Sequence, residues 1–359
     1  MRRLSIPAFT SRIANQARPL SIDFELTDSC PLACRHCYWR GMKRTKKPLS
    51  RTLAESILEQ ARNSGALWVT FTGGDPLLHP DFPEIYLRAR TLGLIPTIFT
   101  SGAAFTPKLF ALLTKAPPYC VEITLNGSNA KTQEAITGTP GSFSKTISAV
   151  KRLRKCGIPV VLKANLMKLN AGDITKIKKL AHSLLGEGGR YLHPFQYDPH
   201  IQIALSGDKT PAGLRLGFGE FMEAISADGE MKKEILESLS APSPRLKRPA
   251  KYKYRCAGGD SFTVTPDGFL QYCSFERKYR KDLRKMPFAA AARDISSAIS
   301  RATLPASCEC RDCRMRAICG WCPAKARLET GKEGPVPFLC RYTSDLLSHC
   351  ASLSGRRKK

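Results

Sequence analysis

Between Ser21 and about Pro199, short runs of β-branched and aromatic residues alternate with stretches whose apolar positions recur at helical spacing. The runs Ile22 to Thr27, Leu67 to Thr72, Ile95 to Thr100, Cys120 to Leu125, Val160 to Leu166 and Tyr191 to Tyr197 predict six strands. The first crossover, Ser50 to Gly65, carries Leu53, Ile57, Leu58 and Ala61 on one helical face, with Ser50 as its cap and Gly65 as its stop. Further helices are predicted from Asp81 to Leu92, Pro107 to Lys115, Ser142 to Cys156 and Asp173 to Leu184. Crossovers of this length let the strands pair in parallel. The class is α/β, and a doubly wound sheet and a barrel both satisfy the pattern.

Residues 200–255 break the rhythm. Helices are predicted at Phe218 to Ile225 and Met231 to Leu239, after which Ala241-Pro-Ser-Pro-Arg-Leu-Lys-Arg-Pro249 reads as a connector. The expected organisation is an N-terminal extension at 1–20, a strand-helix domain at 21–240, a basic proline-rich linker at 241–255, a smaller cysteine-rich domain at 256–345 and a basic tail at 346–359.

A hydrophobic content of 42% over 359 residues is enough for a sizeable core, and two domains is the working count. No apolar run reaches the roughly 18 residues that span a bilayer, and Met1 to Gln16 has no signal-peptide core. The expectation is a soluble, cytoplasmic protein, with an acid-free start up to Ile22 leaving a transit peptide as the alternative. Fourteen cysteines in such a chain point to metal rather than disulfides, because the cytosol keeps thiols reduced.

The net charge of +27 is clustered at Arg40 to Lys47, Arg245 to Arg255, Arg277 to Lys285 and Arg356 to Lys359. Such blocks favour an anionic partner, whether RNA, an acidic leader peptide or an acidic redox protein, and are equally compatible with a solvated basic surface.

Candidate chemistry begins at Thr27-Asp-Ser-Cys-Pro-Leu-Ala-Cys-Arg-His-Cys-Tyr-Trp39. Cys30, Cys34 and Cys37 offer three thiolates where an iron–sulfur cube takes four, which leaves one iron open to a small molecule. A zinc loop is the alternative, although zinc sites usually pair CxxC with a second CxxC or HxxxH further on. The spacing resembles the signature of the radical S-adenosylmethionine (SAM) superfamily, in which the open iron binds SAM and an electron breaks the sulfonium to give a 5′-deoxyadenosyl radical. Gly73-Gly74-Asp75-Pro76 resembles that family's Gly-Gly-Glu-Pro motif, with Asp75 in place of the commoner Glu. Glycines there let the main chain approach a ligand closely.

This resemblance implies a partial (β/α)6 TIM-like barrel. It also implies SAM contacts at Gly73, Gly74, Asp75, Pro76, Ser101, Thr124 and Asn126, with Lys163 and Asn165 as further candidates for the SAM carboxylate or ribose. Barrel enzymes work at the carboxyl ends of their strands, which is where the Cys30 loop and Gly73-Gly74 are predicted to fall.

The remaining cysteines run Cys256, eleven residues, Gly268, four residues, Cys273, then Cys310-Arg-Asp-Cys313, five residues, Cys319-Gly-Trp-Cys322 and a later Cys340. They resemble the SPASM extension of radical SAM enzymes that mature peptides, which holds two auxiliary 4Fe–4S clusters. The resemblance assigns Cys256, Cys273 and Cys322 to the first and Cys310, Cys313, Cys319 and Cys340 to the second. Two residues before Cys322, where the family has three, put its register in question, and Cys308 is a further thiol close enough to complete the first set. A zinc reading of the two CxxC pairs stays open, although zinc ribbons space such pairs more widely.

The implied activity is reductive SAM cleavage followed by hydrogen abstraction from a peptide or protein, with a flavodoxin or ferredoxin as electron donor. RNA or a small metabolite is the alternative substrate, and a non-enzymatic metal-binding regulator the alternative class. Sulfatase maturases carry a basic Asp directly after the cysteine matching Cys273; this chain has Ser274, which leaves Glu276 as the candidate base.

Overall fold

The computed structural model describes residues 19–43, 45, 49–186, 193–240, 251–254, 256 and 261–356. Most of the expected extension, most of the linker with its basic residues, Arg44, Lys46, Lys47 and the last three residues lie outside them.

Six strands joined by helices follow one another along the chain. They are β1 (Ser21–Thr27), α1 (Arg51–Asn63), β2 (Trp68–Gly73), α2 (Phe82–Thr91), β3 (Ile95–Thr100), α3 (Pro107–Lys115), β4 (Cys120–Thr124), α4 (Ala130–Thr137), α5 (Ser142–Lys155), β5 (Val160–Asn165), α6 (Ile174–Leu185) and β6 (Phe195–Asp198). Neighbouring strands from β1 to β6 pair in parallel in chain order. They form the open (β/α)6 barrel.

Strand alternation divides the two faces. Ile22, Phe24, Leu26, Val69, Phe71, Ile98, Val121 and Ile123 are buried in one core with the helices, through Ile57, Leu58, Ile85, Leu113 and Val150 among others. The other face is polar. Register sets Thr97, Thr70, Asp23, Thr263 and Gln271 in one row across five strands. A polar inner face is what a barrel that admits a ligand needs.

The last strand starts later than the run from Tyr191 predicts. Tyr191 and Leu192 lie outside the described residues, and Pro194, which has no N–H for the ladder, precedes the first paired residue. Its carbonyl accepts from Leu162 N at 2.9 Å.

Beyond α7 (Phe218–Ser226) and α8 (Gly229–Ser240), three strands absent from the sequence reading extend the sheet: β7 (Ser261–Val264), β8 (Phe269–Gln271) and β9 (Lys281–Asp282). The full order is β6-β5-β4-β3-β2-β1-β7-β8-β9, with β7 parallel to β1 and a hairpin thereafter. The cysteine-rich segment thus covers the open β1 edge. Helices α9 (Phe288–Arg301), α10 (Pro323–Thr330) and α11 (Pro337–Arg356) complete it. Phe288 N donates to Gln60 Oε1 on α1 at 2.9 Å, and the core runs through Phe262, Phe288, Ile295 and Leu346 without interruption. Among the described residues, no helix is long and apolar enough to cross a membrane.

Candidate active site and its cysteine loops

The loop after β1 carries Cys30, Cys34 and Cys37, and backbone bonds fix it. Ala33 N donates to Thr137 O and Arg35 N to Ile136 O, each at 2.9 Å, which ties the loop to the end of α4. On its other side Gly74 N donates to Thr27 O at 2.7 Å and Asp75 N to Ser29 O at 2.8 Å. A Cβ on Gly73 would lie 2.3 Å from Thr27 O, and one on Gly74 2.3 Å from Ser29 O, so neither position admits a side chain. The glycine pair is therefore required first by the cysteine loop itself. Burial raises the Cys34 thiol well above its ordinary value, followed by the proximity of Cys37 and Cys30, which share this rim.

The Asp75 side chain is hydrogen-bonded to the end of β3. Its fully buried carboxylate accepts from Thr100 Oγ1 (2.8 Å), Ser101 N (3.0 Å), Ser101 Oγ (2.7 Å) and Leu77 N (3.3 Å). Burial raises its pKa, against the pull of those donors. It braces the end of β2 against β3, and Ser101 is engaged in the same brace; Pro76 opens the short 3-10 turn that follows.

The ends of β4 and β5 meet the loop. Asn126 is fully buried, its Oδ1 accepting from Asn165 N at 2.8 Å and its N–H donating to Gln133 Oε1 at 2.7 Å, and Asn165 Nδ2 is 3.2 Å from His36 Nε2. Asn126 Nδ2 and His36 Nδ1 are buried without a hydrogen-bond partner among the described residues. Thr124 precedes this group, half-buried. Lys163 does not join it: it is ion-paired to Glu122 and lies over the Phe99 ring at 4.2 Å. Gln133 and Asn170, whose Nδ2 donates to Asn126 O at 2.9 Å, escaped the sequence reading. Three thiols on one loop, a backbone cradle and two orphaned polar atoms suit a cube with SAM on its open corner.

The C-terminal thiols fall into two neighbourhoods. Burial raises Cys273 to about 11, with Cys322 and Cys256 adding to the shift. Burial likewise raises Cys310 to about 12, with Cys308, Cys340, Cys319 and Cys313 following. Cys322 stands with the first set at the N-cap of α10 despite the shortened spacing, and Cys308 stands with the second set, its Sγ donating to Glu333 O at 3.2 Å. Among the described residues no three His, Cys, Asp or Glu side chains converge as a single metal ion would require.

Glu276 is not available as a base. It is fully buried, with Arg327 Nη2 (2.5 Å) and the Tyr254 hydroxyl donating to Oε2 and Lys278 N (2.9 Å) to Oε1. Arg327 also pairs with Glu333, which Lys253 reaches at 2.6 Å. A buried charge needs such partners, and this network joins residues 253–254, 276, 327 and 333 into a clamp beside Cys256, Cys273 and Cys322.

Three of the six basic residues in the run after Cys273 are ion-paired within the chain. Arg280 pairs with Asp267 (2.5 Å), Lys281 with Asp294 (3.0 Å) and Arg284 with Asp282 (2.8 Å), while Arg277 lies over the Trp39 ring at 5.3 Å. The carboxylate that the sequence reading overlooked is Glu25 on β1. It is fully buried, accepts from the Tyr38 hydroxyl at 3.3 Å and is pushed by burial up to about 7.

Residues 24–181 match the Radical SAM superfamily. The chain is 26% identical over 356 residues to an AdoMet-dependent heme synthase from Methanosarcina barkeri, covering 92% of this chain and 98% of the synthase. It is 32% identical over 242 residues to a PqqA peptide cyclase from Xanthomonas euvesicatoria pv. vesicatoria, covering 67% of this chain and 63% of the cyclase. Its fold is similar to that of SuiB from Streptococcus suis, crystallised with precursor peptide SuiA, at a TM-score of 0.67 and 16% identity over 94% of this chain and 82% of SuiB. Residues 24–181, which hold the cysteine loop and the glycine pair, are a radical SAM domain, of a superfamily that uses a 4Fe–4S cluster and SAM.

Proposed function

We propose that this enzyme cleaves SAM reductively and takes a hydrogen atom from a peptide or protein, as a maturase that oxidises or crosslinks its substrate. The observation that carries the reading is the Cys30–Cys37 loop wedged against Gly73-Gly74, with the orphaned Asn126 Nδ2 beside it. Cys30, Cys34 and Cys37 hold a four-iron cube, which when bound supplies the electron that breaks the sulfonium. The Gly73-Gly74 backbone fixes the cradle, Asp75 and Ser101 brace its rim, and Thr124, Asn126 and Asn165 donate to SAM. Cys256, Cys273 and Cys322, then Cys310, Cys313, Cys319 and Cys340, hold two auxiliary 4Fe–4S clusters. The polar inner face receives substrate, and the apolar shell behind it excludes water and stray hydrogen donors. A flavodoxin or ferredoxin in the cytoplasm delivers the electron.

A peptide substrate is supported by the cyclase named for the PqqA peptide and by SuiB with its bound peptide. A small-molecule substrate is the second reading, favoured by the end-to-end match to a heme synthase. Pairing of Arg280, Lys281 and Arg284 with carboxylates of this chain reduces the charge that run offers to RNA.

Anaerobically reconstituted protein should bind about 8 to 12 iron atoms, the content of two to three cubes. It should form 5′-deoxyadenosine from SAM and dithionite, faster when a peptide encoded beside its gene is added. Stimulation by a tetrapyrrole instead selects the second reading. Iron-loaded protein that forms no deoxyadenosine refutes both.

A further inference from the structure

Polar atoms without partners lie on β1, on β8 one strand beyond the intervening β7, and in the segment after β8 that reaches back to β1. Among the described residues, Glu25 Oε2, Gln271 Oε1 and Nε2 and Arg277 Nε are buried and reach no hydrogen-bond partner. Register sets Gln271 beside Thr263 and Thr263 beside Asp23, and Glu25 lies two residues further along β1 on the same face. Native interiors orphan few such groups, and several together mark a place that holds water or a ligand.

Glu25 also bridges the two cysteine regions. The Tyr38 hydroxyl, one residue after Cys37, donates to Oε1 at 3.3 Å. The Ser274 hydroxyl, one residue after Cys273, is its neighbour on the other side, and the Tyr38 and Phe275 rings meet at 5.6 Å. The inner face opens next to it, since Asp23 is only partly buried.

We propose that Glu25 is the proton-holding carboxyl of the substrate site, with Oε2 as the accepting atom. The assignment rests on the hydrogen-abstraction reading above. Once a substrate carbon bearing an O–H, S–H or N–H group has lost a hydrogen atom, the proton on that heteroatom becomes far more acidic. It passes to Glu25 Oε2: the heteroatom–hydrogen bond breaks, its electron pair stays on the heteroatom, an O–H bond forms on the carboxylate, and the protein gains or loses no electron. A base working near neutral pH needs a carboxyl lifted out of its ordinary range. Burial does this here, with Asp23 adding to the rise while Ser274, Arg277 and Tyr38 oppose it. Thr72 faces Glu25 from β2, so the charged and titratable neighbours are Asp23, Tyr38 and Arg277.

The test uses the full reconstituted chain and Glu25→Gln, with Glu25→Asp as the conservative variant. Wild-type minus Glu25→Gln infrared difference spectra should contain a neutral-carboxyl band that disappears between about pH 6 and pH 8; a band already lost by about pH 5, the ordinary carboxylate range, overturns the assignment. With a peptide that stimulates the wild type, product formed per deoxyadenosine should fall about 100-fold in Glu25→Gln and recover in part in Glu25→Asp. A ratio within about twofold of wild type overturns the assignment, because a general base contributes about 100-fold or more. If no peptide stimulates the wild type, the peptide reading fails, and the infrared titration alone decides Glu25.

Discussion

The two cysteine regions are held by opposite means. The first sits on one short loop placed by backbone bonds to the end of β2 and to α4, with two glycines clearing the space. The second draws thiols from Cys256 to Cys340, and the buried clamp of Glu276, Arg327, Tyr254, Glu333 and Lys253 gathers its first set. A backbone cradle tolerates changes in the surrounding side chains but not an added atom inside it. An ion network in a low-dielectric interior tolerates neither the loss nor the neutralisation of one partner. Added atoms therefore break the first region, and deleted charges break the second.

Arg327→Met tests the second half of that contrast and carries the largest expected effect. It removes the cation that Glu276 and Glu333 share, leaving Glu276 only the Tyr254 hydroxyl and Lys278 N and Glu333 only Lys253, at a cost of about 3–5 kcal/mol. Denaturant unfolding should report the loss, and iron analysis should show bound iron falling from about 12 toward about 8 atoms per chain, the first auxiliary cube being the one lost.

Glu25→Gln should act in the opposite direction. The folded state holds the Glu25 proton up to about pH 7, whereas the unfolded chain releases it near the ordinary value of 4.5. Wild-type stability is thus favoured below about pH 4.5, declines as pH rises through that window, and above about pH 7 carries a penalty of about 3 kcal/mol. Glu25→Gln has no such penalty, so its advantage in denaturant unfolding should grow from pH 5 to pH 8. A constant difference between those two pH values would mean an ordinary carboxylate.

Gly74→Ala tests the first half of the contrast. Its Cβ meets Ser29 O at 2.3 Å and the carbonyl carbons of Ser29 and Asp28 at 2.6 and 2.8 Å, so the loop must move. The expected loss is about 1–3 kcal/mol, the range for overpacking, together with deoxyadenosine formation. Gly172→Ala, with nothing within 4 Å of its Cβ, is the control that should leave both in place. Smallest of all are Lys281→Ala and Arg284→Ala, which remove partly exposed pairs worth about 0.2–1 kcal/mol by denaturant unfolding.

Much of the barrel was legible along the chain. Ile95–Thr100 and Pro107–Lys115 have the bounds that alternation and helical spacing predict, because one face of each is buried in the shared core. Helix α4 was missed because Ala130–Thr137 is mostly polar, although the Asn129 side chain caps it and left-handed Gly138 ends it. The hairpin of β7 to β9 was missed because its strands are short and gain stability only against β1. Within the site, the Cys30 loop and the glycine pair were readable from spacing. The positions after Cys273 point along the chain to Glu276 as a base, but the fold pairs Glu276 with Arg327. Glu25 reads along the chain as one more polar position in a strand.

By itself the sequence determined the strand-helix alternation, the three-thiol loop with its glycine partners and the dense run of later cysteines, since each depends on residues close together in the chain. Only the tertiary structure decided that Lys163 answers Glu122, that Cys308 stands with the second thiol set, and that Ser274 and Arg277 become neighbours of Glu25. Those outcomes turn on burial and on partners distant in the chain, and a local pattern specifies neither.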